Sequence, residues 1–148
     1  MALNLTVIRE ALAAQITAGT GREVRGYPYP TGSINELPCV VVRCDDDYVN
    51  YHATQGEAAD VGLVIDVMAA CRASIEDGLR VLDELLSSAA GQPTSVIDAI
   101  EADDSLGGAV ERVVVGTAGQ QTGFGTVEDG RPIGVIASVP VEVWVNRS

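Results

Sequence analysis

The 148-residue chain contains no lysine, and all nine of its positive charges are arginines. Against them stand 21 acidic residues, so the formal net charge is −12 at pH 7. The arginines are scattered and form no basic patch. Because phosphate binding needs clustered positive charge, this distribution argues against a nucleic-acid-binding role. A negative surface of this size repels DNA instead.

The chain also lacks an apolar run of the roughly 18 residues that a membrane-spanning helix needs. Its first segment, MALNLTVIREALAAQI, has neither the basic start nor the continuous apolar stretch of a secretion signal. We therefore expect no membrane association and a cytoplasmic setting. With 47% hydrophobic and 20% charged residues, the composition is that of one globular domain, which we expect to span residues 1–148.

Cysteine and histidine are scarce. Cys39, Cys44 and Cys71 are an odd number without a C-x-x-C pair, and His52 is the single histidine. This pattern favours small, buried apolar cysteines over a zinc site. The chain contains neither a G-x-S-x-G nucleophile motif nor a G-x-x-x-x-G-K-[ST] phosphate loop. We expect no catalytic residue, no metal site and no cofactor.

The segment CDDDYVNYH, residues 44–52, is the strongest candidate for chemistry. Successive strand residues point to opposite faces, so Asp45, Asp46 and Asp47 cannot converge on one ion without a tight turn. Their spacing also differs from that of a calcium loop. We interpret the segment as a charged strand end that leads into a solvated turn. A small metal-dependent enzyme that uses these aspartates and His52 remains a remote alternative.

Hydrophobic periodicity predicts an α+β fold. A helix from about residue 5 to 18 is capped by Asn4, and two further helices begin at Ser74 and Ser95, the second of which is predicted to end at Gly107-Gly108. Strands are predicted at about 22–27, 38–45, 59–71, 109–116 and 133–146. The order α-β-β-β-α-α-β-β indicates a largely antiparallel sheet of about five strands with two to three helices packed on one face. Long loops are predicted at about 27–37 and 116–134.

Aromatic residues are few, and most are predicted to lie outside the core. In the last strand, Val139, Val141, Val143 and Val145 alternate with Trp144, which should therefore face away from the valines. Tyrosine and tryptophan outside a core are favoured anchors of protein–protein contacts. We predict that all six aromatic residues lie at subunit contacts: Tyr27, Tyr29, Tyr48, Tyr51, Phe124 and Trp144.

Over nearly its whole length, the chain resembles the tail terminator proteins of long-tailed (siphovirus-type) phages, especially those of actinobacterial hosts. The resemblance rests on four segments: LNLTVIREALAAQI, GYPYPTGSINELPCVVV, SVIDAIEADDSLGGAVERVVV and SVPVEVWV. It implies a virion protein, assembled in the host cytoplasm, that forms a hexameric ring on the head-proximal end of the tail tube. The ring stops tube growth and docks the neck, without enzymatic activity or cofactor.

The resemblance also implies the partners: further copies of the chain, the tail tube protein and a neck protein. DNA would pass through the ring lumen without specific binding, which agrees with the charge of −12. A head–tail connector between portal and tail is the alternative, because neck proteins share this size, charge and ring habit. No residue of the sequence separates the two.

Overall fold

The computed structural model describes residues 3–30, 37–51, 58–72, 74–87, 95–125, 130 and 132–146. The described elements are three helices and six strands, which confirms the α+β class. In chain order they are α1 (Leu5–Gly19), β1 (Arg25–Tyr27), β2 (Cys39–Asn50), β3 (Ala58–Ala70), α2 (Ile75–Leu86), α3 (Val96–Glu101), β4 (Arg112–Val115), β5 (Thr122–Phe124) and β6 (Gly134–Asn146). None of the described helices is long and apolar enough to cross a membrane.

The strands form one sheet in the order β1-β2-β3-β6-β4, and β5 pairs with β6 on the same side as β4. β1 runs parallel to β2, whereas the other pairs are antiparallel, so the sheet is mixed. The three-residue strand β5 was not predicted and lies within the expected loop 116–134. Its sequence, TGF, is too short for a periodic signal.

All three helices pack on one face of the sheet, as predicted. α1 contributes Ile8, Leu12 and Ile16 to a core that it shares with the inward-facing residues of β3 and β6. The alternating valines of β6 are at most 2% exposed, so the expected orientation of that strand is confirmed. Each helix begins at the predicted cap, because the side chains of Asn4, Ser74 and Ser95 each accept a backbone N–H three residues later.

The end of α3 differs from the prediction, which continued the helix to Gly107. The helix ends at Glu101, and a tight turn follows it. The Asp103 carboxylate accepts hydrogen bonds from the Ser105 hydroxyl (2.6 Å), the Gly107 N–H (2.8 Å) and the Ser105 N–H (3.0 Å). The Ser105 hydroxyl and these backbone donors hold the pKa of Asp103 below its ordinary value. Leu106 and Gly107 have positive φ, which no right-handed helix accommodates.

Candidate functional site

The sheet face opposite the helices, here called the open face, is covered by no described helix. Its side chains alternate along each strand with those of the helix-covered core. The strand register sets their rows: Met68 lies between Cys39 and Ile136, Asp66 between Val41 and Ser138, and Asp60 between Asn50 and Trp144. The face therefore changes from apolar to acidic along β3.

The apolar end of the open face is a small second core. Cys39, Val41 and Met68 are buried there. Four half-buried residues from other parts of the chain pack against them: Tyr27, Leu37, Phe124 and Ile136. Tyr27 and Phe124, two of the predicted contact residues, thus pack on an apolar surface of their own subunit.

The middle of the open face holds a polar network. The Asp66 carboxylate accepts the Arg43 Nε–H at 2.8 Å and the Ser138 hydroxyl at 2.6 Å. Its side chain is 13% exposed and that of Arg43 is 43% exposed. The ion pair and hydroxyl satisfy both carboxylate oxygens of Asp66, so this network ties β2, β3 and β6 together rather than leaving a reactive group.

At the acidic end, β2 contains a large bulge. Cys44 pairs with Leu63 and Val49 pairs with Val61, so four residues, Asp45 to Tyr48, lie opposite the single residue Gly62. The prediction of a strand that ends near Asp45 was therefore wrong: β2 continues to Asn50, and the acidic run is a bulge within it.

The bulge brings carboxylates together that are distant in sequence. Asp45 and Asp47 line a cavity of about 310 Å³ with Asp60 of β3 and Glu142 of β6. Gly62 lies beneath them, where a Cβ would come within 2.4 Å of the Asp47 carbonyl oxygen. Three neighbouring strands thus place four negative charges around one shallow hollow.

Among the described residues, no group of three or more histidine, cysteine, aspartate or glutamate side chains is placed to hold a metal ion. His52 lies outside the described residues, so its part in the alternative enzyme hypothesis has no structural counterpart. Of the cysteines, Cys39 and Cys71 are buried as predicted, but Cys44 is exposed, so the prediction is wrong for that residue.

Two of the predicted contact tyrosines surround a buried arginine. Arg9 of α1 is 6% exposed, and its guanidinium lies 4.6 Å from the ring centre of Tyr29 and 5.4 Å from that of Tyr48. It donates hydrogen bonds to the Tyr48 hydroxyl and to the carbonyls of Pro28 and Val42, each at 3.2 Å. Tyr48 and Tyr29 therefore hold α1 against β2 within the subunit.

The aromatic side chains with the most exposed surface are Tyr51 at 51%, Trp144 at 48% and Tyr29 at 45%. Trp144 faces away from the valine side of β6, as predicted, and lies in register with Asp60 on one side and Arg112 on the other. It stands at the acidic end of the open face, one strand in from the β4 edge. The contact role of all six aromatic residues stays a prediction.

Sequence reasoning missed three parts of this site: the Arg9 cluster, the Arg43–Asp66–Ser138 network, and the meeting of Asp60 and Glu142 with the bulge. Each depends on residues far apart in the chain. One local signal was available, because glycine inside a strand often marks a bulge or a close backbone approach, and Gly62 is such a residue.

Comparison with known proteins leaves the family of this chain open: a scan against models of protein families finds no match, and a search of curated proteins also finds none.

Proposed function

We propose that this chain is a ring-forming structural protein of a phage virion that caps the head-proximal end of the tail tube. The ring ends tube polymerisation, because one of its faces matches the last ring of the tube and the other offers no surface for a further one. The second face serves as the docking surface for the neck. The proposal starts from the resemblance of the four sequence segments given above.

The open face with its acidic hollow is the observation that carries the proposal. Asp45, Asp47, Asp60 and Glu142 line one hollow on a sheet face that no described helix covers. Phosphates are repelled by such a surface, so DNA can move past it without binding. In the proposed ring the open face is directed toward the lumen, and the helix-covered face lies away from the DNA.

The arrangement of the sheet also suits a subunit of fixed shape. β3 and β6 pair over 13 residues, and their inward side chains are covered by the helices. The Arg9 cluster fastens α1 to β2, and the Arg43–Asp66–Ser138 network joins the three central strands. A cap that works by geometry needs such a subunit, because a subunit of variable shape would not present one constant surface to the tube.

Electron microscopy of particles made when the gene is disrupted in its phage tests the proposal. We expect overlong tails without heads beside DNA-filled heads, because nothing then stops tube growth. A copy of the gene supplied in trans should restore normal tails, which controls for effects on neighbouring genes. Tails of normal length that lie unattached beside filled heads would contradict the proposal and identify a head–tail connector instead.

A further inference from the structure

We infer that copies of this chain bind one another head to tail, with the β4 edge of one copy seated in the groove between α1 and β1 of the next. This inference deepens the proposed ring and rests on the proposed function for its biological setting. The contact surfaces themselves follow from the charge, the exposure and the strand order of the described residues.

The α1–β1 groove is a hollow of about 420 Å³ whose floor is made of small apolar residues. Ala13, Ala14 and Ala18 of α1 line one side, and Gly26 lies so close to α1 that a Cβ there would approach the Ala13 carbonyl oxygen within 2.4 Å. The Gly26 N–H donates to the Thr17 hydroxyl at 2.9 Å, so the helix covers this part of the β1 edge. A partner would therefore meet side chains and a shallow apolar floor rather than open strand backbone.

Two arginines flank the groove. Arg22 and Arg25 both line it and are both exposed, and Glu10 is the one acidic residue of its lining. Within the part of the chain that the structure describes, neither guanidinium forms an ion pair, whereas Arg43 and Arg80 each hold a carboxylate. On a chain with a formal charge of −12, a hollow with more positive than negative side chains is suited to an acidic partner.

The β4 edge has the complementary chemistry. Glu101 and Asp104, both exposed, line a hollow of about 250 Å³ with the residues of β4. Arg112 is the single cation of that lining, and Val114 is 37% exposed. The edge thus combines two carboxylates with one exposed apolar side chain, as the groove combines two guanidinium groups with an apolar floor.

The backbone of β4 also has unused hydrogen-bonding capacity. Gly116 donates to the Pro140 carbonyl at 2.8 Å, in the same register that pairs Val114 with Glu142. In an antiparallel pair alternate residues turn their N–H and C=O toward the same side, so those of Val113 and Val115 point away from β6. No described strand lies on that side, so in the inferred contact these groups face the polar side chains of the groove, Glu10, Arg22 and Arg25, which supply hydrogen-bond partners in place of strand backbone.

The two surfaces lie at opposite ends of the strand order, since β1 begins it and β4 ends it. A contact between two different surfaces of identical chains is heterologous, and its repetition closes a ring when the rotation permits. The acidic hollow at Gly62 has a stronger negative charge than the β4 edge, but it lies over the paired central strands β2, β3 and β6 and offers no free strand edge. The pairing of β4 with the groove also leaves the acidic hollow free.

Charge reversal in the purified full-length chain tests the inference. We expect Arg22→Glu with Arg25→Glu, and separately Glu101→Arg with Asp104→Arg, to weaken self-association about tenfold or more, measured by sedimentation velocity over a range of concentrations. The variant with all four substitutions should associate again, because its charges are complementary once more. Asp45→Arg with Asp47→Arg is the matched control, with the same change of charge on the open face and no expected loss.

The outcomes separate this inference from the proposed function. The β4 contact would be overturned if the variant with all four substitutions failed to associate. It would also be overturned if Asp45→Arg with Asp47→Arg restored the association of Arg22→Glu with Arg25→Glu. A wild-type chain that stays monomeric up to about 1 mM would overturn it as well. In each case the microscopy of disrupted phage still decides whether the protein caps the tube. Circular dichroism checks that each variant is folded. If Arg22→Glu with Arg25→Glu unfolds, Arg22→Gln with Arg25→Gln takes its place.

Discussion

At the scale of single residues, Arg9 connects α1 to β2 and to the segment that follows β1. A buried guanidinium is stable only when its donors are satisfied, and here two carbonyls and a tyrosine hydroxyl accept from it. The rings of Tyr29 and Tyr48 add favourable contact with its positive charge. The sequence around Arg9 could not predict this role, because every partner of the side chain lies at least 19 residues away in the chain.

Arg9→Met should lower the free energy of unfolding by about 2 kcal/mol, because it keeps the apolar stem but leaves buried acceptors without donors. Urea unfolding followed by circular dichroism measures the change. Arg80→Met is the matched control: Arg80 forms an exposed pair with Glu76 one helical turn away, and its loss should cost less than about 0.5 kcal/mol. Equal effects of the two substitutions would show that the Arg9 cluster contributes nothing special to stability.

At the scale of elements, local signals predicted more than non-local ones. Helix starts were predictable because the caps at Asn4, Ser74 and Ser95 act within one turn. The orientation of β6 was predictable because its valine alternation extends over the strand. The bulge in β2 was not, since the β-branched run that signals a strand ends before the aspartates, and only pairing with β3 extends it.

Gly62 is required by that bulge, and Gly62→Ala tests the requirement. Alanine would ordinarily stabilise a strand by about 0.5–1 kcal/mol through the unfolded chain. Here its Cβ would lie 2.4 Å from the Asp47 carbonyl oxygen, so the bulge must shift. We expect a net loss of about 1–3 kcal/mol, measured by urea unfolding.

Gly119→Ala provides the comparison for this substitution. Its Cβ would lie 3.3 Å from the Ser138 carbonyl oxygen, a contact that a small adjustment relieves. We expect its stability to change by less than about 1 kcal/mol. If Gly62→Ala were as stable as Gly119→Ala, the close packing of the bulge on β3 would not be a requirement of the fold.

At the scale of the whole molecule, the two faces of the sheet have different chemistry. The helix-covered face holds the main core, whereas the open face gathers the carboxylates around Gly62 and leaves Trp144 half exposed. Sequence composition predicted a strongly acidic surface but not the hollow that four of its carboxylates share, because Asp60 and Glu142 join Asp45 and Asp47 only through strand pairing. The six aromatic residues likewise looked alike in sequence, although the fold uses Tyr48 and Tyr29 to hold Arg9.

Trp144 is an exposed aromatic residue that belongs neither to the Arg9 cluster nor to the small second core. It is 48% exposed and stands one strand from the β4 edge, where Arg112 is its cross-strand neighbour. Trp144→Ala should weaken association of the chain about tenfold or more, because tryptophan is among the residues that contribute most to binding energy and this one borders the β4 edge. Sedimentation measures the loss, electron microscopy shows whether rings still form, and circular dichroism should find the subunit folded.

The matched control for Trp144 is Ile75→Ala. Ile75 is a large side chain of nearly the same exposure, 47%, but it lies in the first turn of α2, away from the open face. If surface hydrophobicity alone drives association, both substitutions weaken it equally. If the contact lies beside β4, only Trp144→Ala does, and Trp144→Phe retains part of the affinity because an aromatic ring remains. Normal rings from Trp144→Ala would remove this residue from the interface and place the contact elsewhere on the subunit.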